Sequence, residues 1–216
     1  MMIRLFRPED AEQVAQLFHD TVREVNVSDY SIDQVKAWAP DDIHFRDWAT
    51  LCSQRFTYVA DAAGLIIGFG ELESDGHIGC FYCHKDYQRR GVGRAIYQSI
   101  EAKAKELQLD RLFTEASITA KPFFQTLGFT VITEQQVFCR GEVFTNYRME
   151  KSAGSEPAGN GYQHSQTIEW RKDFNRQIAI EFTSFLANLL ILRLNSILQV
   201  LLYFRASVLF NSQFSR

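Results

Sequence analysis

Several functional classes are excluded by what this 216-residue chain has little of. Only 4 cysteines are present. That is too few for a disulfide scaffold in a chain of this size, and a reducing cytoplasm is the default setting. Lys and Arg number 23 against 26 Asp and Glu, for a formal net charge of -3. No long basic run stands out, so the electrostatic footprint of a nucleic-acid-binding protein is missing. Met1 to Arg7 has no basic stretch followed by an apolar core, so no secretory leader is expected. No internal repeat is visible. Prolines are also few, at 4. What the chain does have is core material: 46% hydrophobic residues, with 18 Phe, 8 Tyr and 3 Trp.

The texture changes near Lys151. Up to that point, short apolar runs alternate with segments patterned as helices. Met2 to Phe6 reads as a strand. Pro8-Glu9-Asp10 opens a helix, with Pro in the first turn and acids at the positive end of the dipole. Ala11, Val14, Leu17, Phe18 and Val22 follow at helical spacing. Ser31 to Gln34 has the capping-box pattern, and Pro40 closes that short helix. Asp42 to Cys52 predicts another helix, with Phe45, Trp48, Ala49 and Cys52 on one stripe. Phe56 to Ala60 and Leu65 to Glu71 read as a hairpin turned at Ala63-Gly64. His77 to His84 predicts a strand, Gly91 to Leu107 a helix, and Arg111 to Ala116 a strand. Ala120 to Leu127 predicts a short helix ended by Gly128. A last hairpin, Phe129 to Phe138 and Val143 to Met149, turns about Arg140-Gly141. Strands in the middle with helices packed against them make an α/β (α+β) layering.

The segment richest in chemistry is Cys80-Phe-Tyr-Cys-His-Lys-Asp-Tyr-Gln-Arg-Arg-Gly-Val-Gly-Arg94. A strand ends, a loop rich in donors follows, and a helix begins within Gly91-Val92-Gly93. Glycines allow positive φ and let backbone come close to a ligand. The first N–H groups of a helix have no partner inside it, and the dipole favours an anion there. Arg89, Arg90 and Arg94 add charge-assisted donors. Together these features predict a pyrophosphate cradle. Taken alone, the glycines would fit a plain turn with exposed arginines better than a cradle.

The run Gln88-Arg-Arg-Gly-Val-Gly93 matches the pattern Q/R-x-x-G-x-G/A, and Ser117 to Phe129 holds a short helix that ends in Leu-Gly-Phe. On these two motifs, in this order, Met1 to about Lys151 resembles the GNAT N-acetyltransferases. Ala37-Trp38-Ala39-Pro40 and the closing Thr145 to Lys151 resemble a bacterial branch of that family. The resemblance implies the GNAT fold, a mixed and mostly antiparallel sheet flanked by helices. It implies acetyl-CoA as co-substrate, no metal, and a primary amine of a small molecule or peptide as acceptor. It places backbone groups of Phe81, Tyr82 and Cys83 along the pantetheine arm, with one N–H on the thioester carbonyl. It places Gln88, Arg89, Arg90, Gly91, Val92, Gly93 and Arg94 at the pyrophosphate, and Ser117 near the pantetheine. Members commonly carry a Tyr in the short helix to protonate the departing thiolate; this chain has Phe124 there. The role then falls to Tyr82, Tyr147 or water, or the domain binds acyl-CoA without catalysis.

The general base is open between several carboxylates. Glu71 and Glu73 share a strand face with Phe69 by alternation, and a partly desolvated carboxylate there would have a raised pKa. Glu115, on another strand, is a rival. Cys80-Phe-Tyr-Cys-His84 has the spacing of haem attachment, and with His77 it would suggest zinc, but in a strand sulfurs three apart diverge and no second ligand pair exists, so both readings are rejected. Trp38, Phe45 and Trp48 read as core, or as the wall of an acceptor pocket for an apolar or aromatic amine.

Beyond Lys151, residues 152–166 have linker composition. The tail, 167–216, is apolar and helix-patterned. Between Phe182 and Phe204 its only charge is Arg193. About 20 residues suffice to cross a bilayer. However, Gln177, Glu181, Ser184, Asn188, Asn195 and Gln199 form one polar stripe. Such a helix suits a homodimer contact, a protein groove or a membrane surface, which leaves peripheral membrane association open.

Overall fold

A computed structural model describes residues 1–153. The linker from Gly154 onward and the apolar tail, with its dimer and membrane readings, lie outside the described residues.

The described residues hold seven strands and five α-helices. β1 (Met2–Leu5) leads through a tight 3-10 turn at Pro8–Asp10 into α1 (Ala11–Glu24). Asp10 ties this corner: its carboxylate accepts from Arg7 N–H at 2.8 Å and from Arg4 at 2.7 and 2.8 Å. The Arg4 guanidinium, outweighing burial, holds the Asp10 carboxyl below its ordinary value. Val14, Leu17, Phe18 and Val22, spaced for one helical face, are buried. α2 (Ile32–Trp38) begins in the expected reciprocal cap, with Gln34 N–H on Ser31 Oγ at 3.1 Å and Ser31 N–H on Gln34 Oε1 at 2.8 Å.

The helix expected over Asp42 to Cys52 is shorter. α3 is Trp48–Ser53, and Asp47 caps it by accepting from Thr50 N–H at 3.0 Å. Asp42 instead accepts from His44 N–H at 2.9 Å, a local turn that competes with helix and leaves Phe45 in a loop.

β2 (Phe56–Ala62) and β3 (Leu65–Leu72) form the first hairpin. β4 (Phe81–Cys83), α4 (Val92–Glu106), β5 (Arg111–Ser117) and α5 (Lys121–Thr126) follow, and β6 (Thr130–Cys139) and β7 (Glu142–Ser152) close the fold. Both hairpins turn on two residues of positive φ, Ala63 (58°) with Gly64 (92°) and Arg140 (46°) with Gly141 (91°), which suits the twist of the flanking strands. The strands make two antiparallel sheets, in the orders β1-β2-β3-β4 and β5-β7-β6. Among the described residues, one isolated parallel bridge, between His77 and Phe113, joins them. One core packs α4 and α5 against both sheets; a second packs α1, α2 and α3 against the opposite face of β2 and β3.

Candidate active site

The strand expected over His77 to His84 is regular only from Phe81 to Cys83, and the reason defines the site. Residues 76–78 are shared between the sheets. Ile78 N–H donates to Phe113 O at 2.8 Å and Phe113 N–H to Gly76 O at 3.0 Å. There the ladder stops, and the Thr114 hydroxyl takes the Ile78 carbonyl at 2.9 Å. Beyond it β4 stays with β3 while β5 goes with β7. A cleft of about 760 Å³ lies in the gap.

One wall is the outer edge of β4. Glu71 N–H donates to Cys80 O at 2.9 Å and His84 N–H to Ile67 O at 3.0 Å, which fixes the phase of the ladder. Cys80, Tyr82 and His84 therefore spend their backbone groups on β3. Phe81 and Cys83 turn theirs outward, toward the cleft they line. Their side chains alternate too: Phe81 and Cys83 pack toward α4, Tyr82 toward α1.

This wall runs into the start of α4. Gly91 caps the helix at φ 83°, a left-handed geometry that disfavours a Cβ, and Arg89 shares it at φ 58°. The first helical bond is Ala95 N–H to Gly91 O at 3.0 Å, so the N–H groups just before it have no helical acceptor. A Cβ on Gly93 would stand 3.1 Å from Phe123 Cζ, so backbone and aromatic ring are in close contact there. Arg89, Arg90 and Arg94 are exposed around this opening. The backbone donors, helix dipole and guanidinium groups together make a seat for a phosphate-like anion.

The far side is lined by β5 and α5. Ser117 Oγ accepts from Ala120 N–H at 3.0 Å and so shapes the turn into α5. Phe124, 2% exposed, packs among Phe81, Phe123 and Phe129 with ring centroids 5.7, 5.5 and 5.2 Å away.

Behind the gap runs a row of charges. Arg55 bonds Glu71 at 2.7 Å and approaches Glu73 at 3.3 Å; His77 bonds Glu73 at 3.1 Å and Glu115 at 2.6 Å. Burial alone would lower the His77 pKa, but its hydrogen bonds and charge pairing with Glu115 and Glu73 push it up to about 10. Burial would raise Glu73, yet the His77 hydrogen bond and charge, with Arg55, hold it below its ordinary value. Of these five groups only Glu115 lines the cleft. Gly79 closes the cleft wall over the others: a Cβ there would meet Arg55 and Glu73 at 3.3 Å and Glu71 at 3.5 Å.

Above Tyr82 the cleft continues into a second arm between the α1–α2 segment and β7. Tyr30 joins the two: its hydroxyl donates to Thr145 O and accepts from Ile118 N–H, both at 2.9 Å. Phe144 stands 5.7 Å from the Tyr30 ring and 5.2 Å from that of Trp38. Trp38 Nε1–H donates to the Tyr82 hydroxyl at 3.2 Å.

A family model described as an acetyltransferase (GNAT) domain matches residues 26–151. The chain belongs to the GNAT acetyltransferases. It is 33% identical over 150 residues to the uncharacterized N-acetyltransferase YafP of Escherichia coli (strain K12), covering 69% of this chain and 94% of that protein. A GCN5-related N-acetyltransferase from Rhodopseudomonas palustris superposes with a TM-score of 0.66 at 32% identity, over 70% of this chain and 94% of that one. PaiA N-acetyltransferase from Thermoplasma acidophilum, solved with coenzyme A, shares the fold at a TM-score of 0.58 and 16% identity, over 70% and 98%.

Within this GNAT domain, Phe81, Tyr82, Cys83, Gln88, Arg89, Gly91, Gly93, Arg94, Ser117 and Phe124 line one cleft. Val92 is buried in the core, so only its backbone is at hand. Arg90 stacks over Tyr87 at 5.5 Å. Glu71 is 0% exposed and bonded to Arg55, behind the cleft wall; Glu73 sits there with it. Tyr82 lines the cleft, and burial pushes its phenol well above the ordinary range. Cys80 is buried in the α1-side core, whereas Cys83 packs toward α4, so the two sulfurs diverge. The residues that motif reasoning passed over are Arg55, His77, Tyr30 and Asn146. The i, i+4 spacing of Glu73 and His77 was the one local signal among them. Among the described residues no helix is long and apolar enough to cross a membrane.

Proposed function

We propose that the enzyme transfers the acetyl group of acetyl-CoA to a primary amine of a small molecule or peptide, by direct attack in a ternary complex. One observation carries this reading. The parting of β4 from β5 puts an anion seat, an outward-facing strand edge and a carboxylate around one cleft. The diphosphate would take the N–H groups from Arg89 to Arg94, with Gln88 beside them. The pantetheine would lie along Phe81 and Cys83, near Ser117 and Phe124. The outward N–H of Phe81 or Cys83 would meet the thioester oxygen, where negative charge develops. A coenzyme A complex of PaiA, which has this fold, supports the cofactor.

The amine gives up one proton as its nitrogen bonds the acetyl carbon and the C–S bond breaks. Glu115 is the proton acceptor that the cleft offers, held by His77, with Glu73 and Glu71 anchoring the row from behind. Tyr82 keeps its proton, since its raised pKa makes it a poor acid toward a thiolate; it shapes the junction of the two arms. The thiolate then takes its proton from water. All four cysteines carry free thiols, which a reducing cytoplasm would preserve.

A second reading rests on Phe124, a side chain with no proton to give: an acyl-CoA-binding module without turnover. Measuring free coenzyme A thiol against a panel of amines separates the two. Amine-dependent release supports transfer. Tight acetyl-CoA binding with no release on any amine would leave only the binding module.

A further inference from the structure

The second arm of the cleft contains an amide with nothing to bond. Asn146 is only 8% exposed, it lines the cleft, and its Oδ1 is sealed from solvent with no hydrogen-bond partner among the described residues. Buried amides are normally satisfied, so such a group calls for an explanation. The oxygen is out of a ligand's reach where it stands; turning the amide end for end exchanges carbonyl and NH₂, and an entering N–H would then meet the oxygen on the other side of the amide.

The sheet register says what lies beside it. Ser117 is opposite Asn146 and Glu115 is opposite Arg148. Opposed residues share a face, and residues two apart on one strand share a face. Glu115, Ser117, Phe144, Asn146 and Arg148 therefore share one face, with Arg148 bonded to Glu150 at 2.6 Å. Asn146 and Glu115 are diagonal neighbours, about 7 Å apart, a gap that one small polar group can bridge. Around that point the arm is apolar, with the rings of Tyr30, Trp38 and Phe144 and the side chain of Val35. Among the described residues, Glu115 is the only acidic one lining the cleft. A second or third ammonium group would find no carboxylate.

We infer that Asn146 anchors the acceptor nitrogen beside Glu115, and that the acceptor is a monoamine with a flat, apolar body rather than a polycation. This rests on the acetyl-transfer reading and names its substrate class. A bound N–H on the Asn146 carbonyl leaves the nitrogen lone pair free for the thioester.

The test uses the full chain with acetyl-CoA and three probe amines: 2-phenylethylamine, spermidine and kanamycin. The wild type should show a kcat/KM for phenylethylamine at least tenfold above that for the other two. Asn146→Leu should raise the phenylethylamine KM about tenfold, the effect of losing one hydrogen bond. Its acetyl-CoA Kd should stay within twofold and its Tm should hold or rise, because an unsatisfied amide has been removed. A merely structural Asn146 would lower Tm instead. Asn146→Ala gives the same KM readout should the leucine variant not fold. Unchanged acceptor KM in both variants, or a preference for spermidine or kanamycin, overturns the inference and leaves acetyl transfer standing. Turnover of no amine by the wild type overturns both.

Discussion

The two arms of the cleft are made of different material. From Phe81 to Arg94 the wall is largely main chain: the outward edge of β4, a left-handed Gly91, and the first N–H groups of α4. From Tyr30 to Asn146 the wall is side chain, brought in by α1, α2, β4 and β7. A backbone seat depends on a few glycines and on where a helix starts, so it tolerates change elsewhere. A side-chain wall can be re-cut residue by residue. Under the proposed function the first arm would take the cofactor that the family shares, and the second the acceptor. Glu115 lines the same cleft, and in the proposed reaction it would serve the step that needs both arms.

That division can be broken or sharpened by four measurements, taken from the largest expected effect to the smallest. Glu115→Gln keeps the shape and removes the proton acceptor at the junction. Its kcat should fall about 10²- to 10³-fold, with both substrates still binding. A rate within threefold of wild type would move the base elsewhere. Gly93→Glu adds a Cβ against Phe123 and a negative charge at the anion seat. Acetyl-CoA affinity should drop about 100-fold by calorimetry, reflecting lost charge-assisted bonds and a new repulsion. Intact affinity would remove the cradle from the argument. Trp38→Ala acts on the other arm alone. The acceptor KM should rise about tenfold, the scale of one lost aromatic contact, while the acetyl-CoA KM stays within twofold. Equal changes in both would erase the distinction between the arms.

The smallest effect concerns the charge row. The folded pKa of His77, about 10, lies above its ordinary 6.5, so its contribution to stability is full below about pH 6.5 and is lost as pH rises through about 10. Glu73 runs the other way: its pKa is lowered from 4.5, so its contribution is present above that value and fades as pH falls through the folded pKa. His77→Gln should therefore cost a few degrees of Tm near pH 6, and the difference from wild type should shrink toward pH 10. A constant difference across that range would mean that His77 is not charged in the folded protein.

Much of the fold was legible because its signals are local. The hairpins at Ala63-Gly64 and Arg140-Gly141, the Ser31 cap and the apolar stripe of α1 each sit within a few residues of their cause. The errors were local as well. Asp42 and Asp47 each offer a cap; Asp42 closes a local turn on His44 instead, and Asp47 starts α3. The strand predicted through His77 was cut short because residues 76–78 bond two sheets at once, which no period in the sequence announces.

The chain by itself determined the anion seat, because Gln88 to Arg94 contains every atom that seat needs: free N–H groups, a residue suited to positive φ, and the guanidinium groups. Only the tertiary structure decided which of these carboxylates lines the cleft. Glu71, Glu73 and Glu115 are alike as sequence, yet Gly79 and the parting of β4 from β5 put the first two behind a wall and the third in the cleft. The same parting set the buried Asn146 in the cleft wall, and its unmade hydrogen bond is a property of its surroundings and not of its neighbours in the chain.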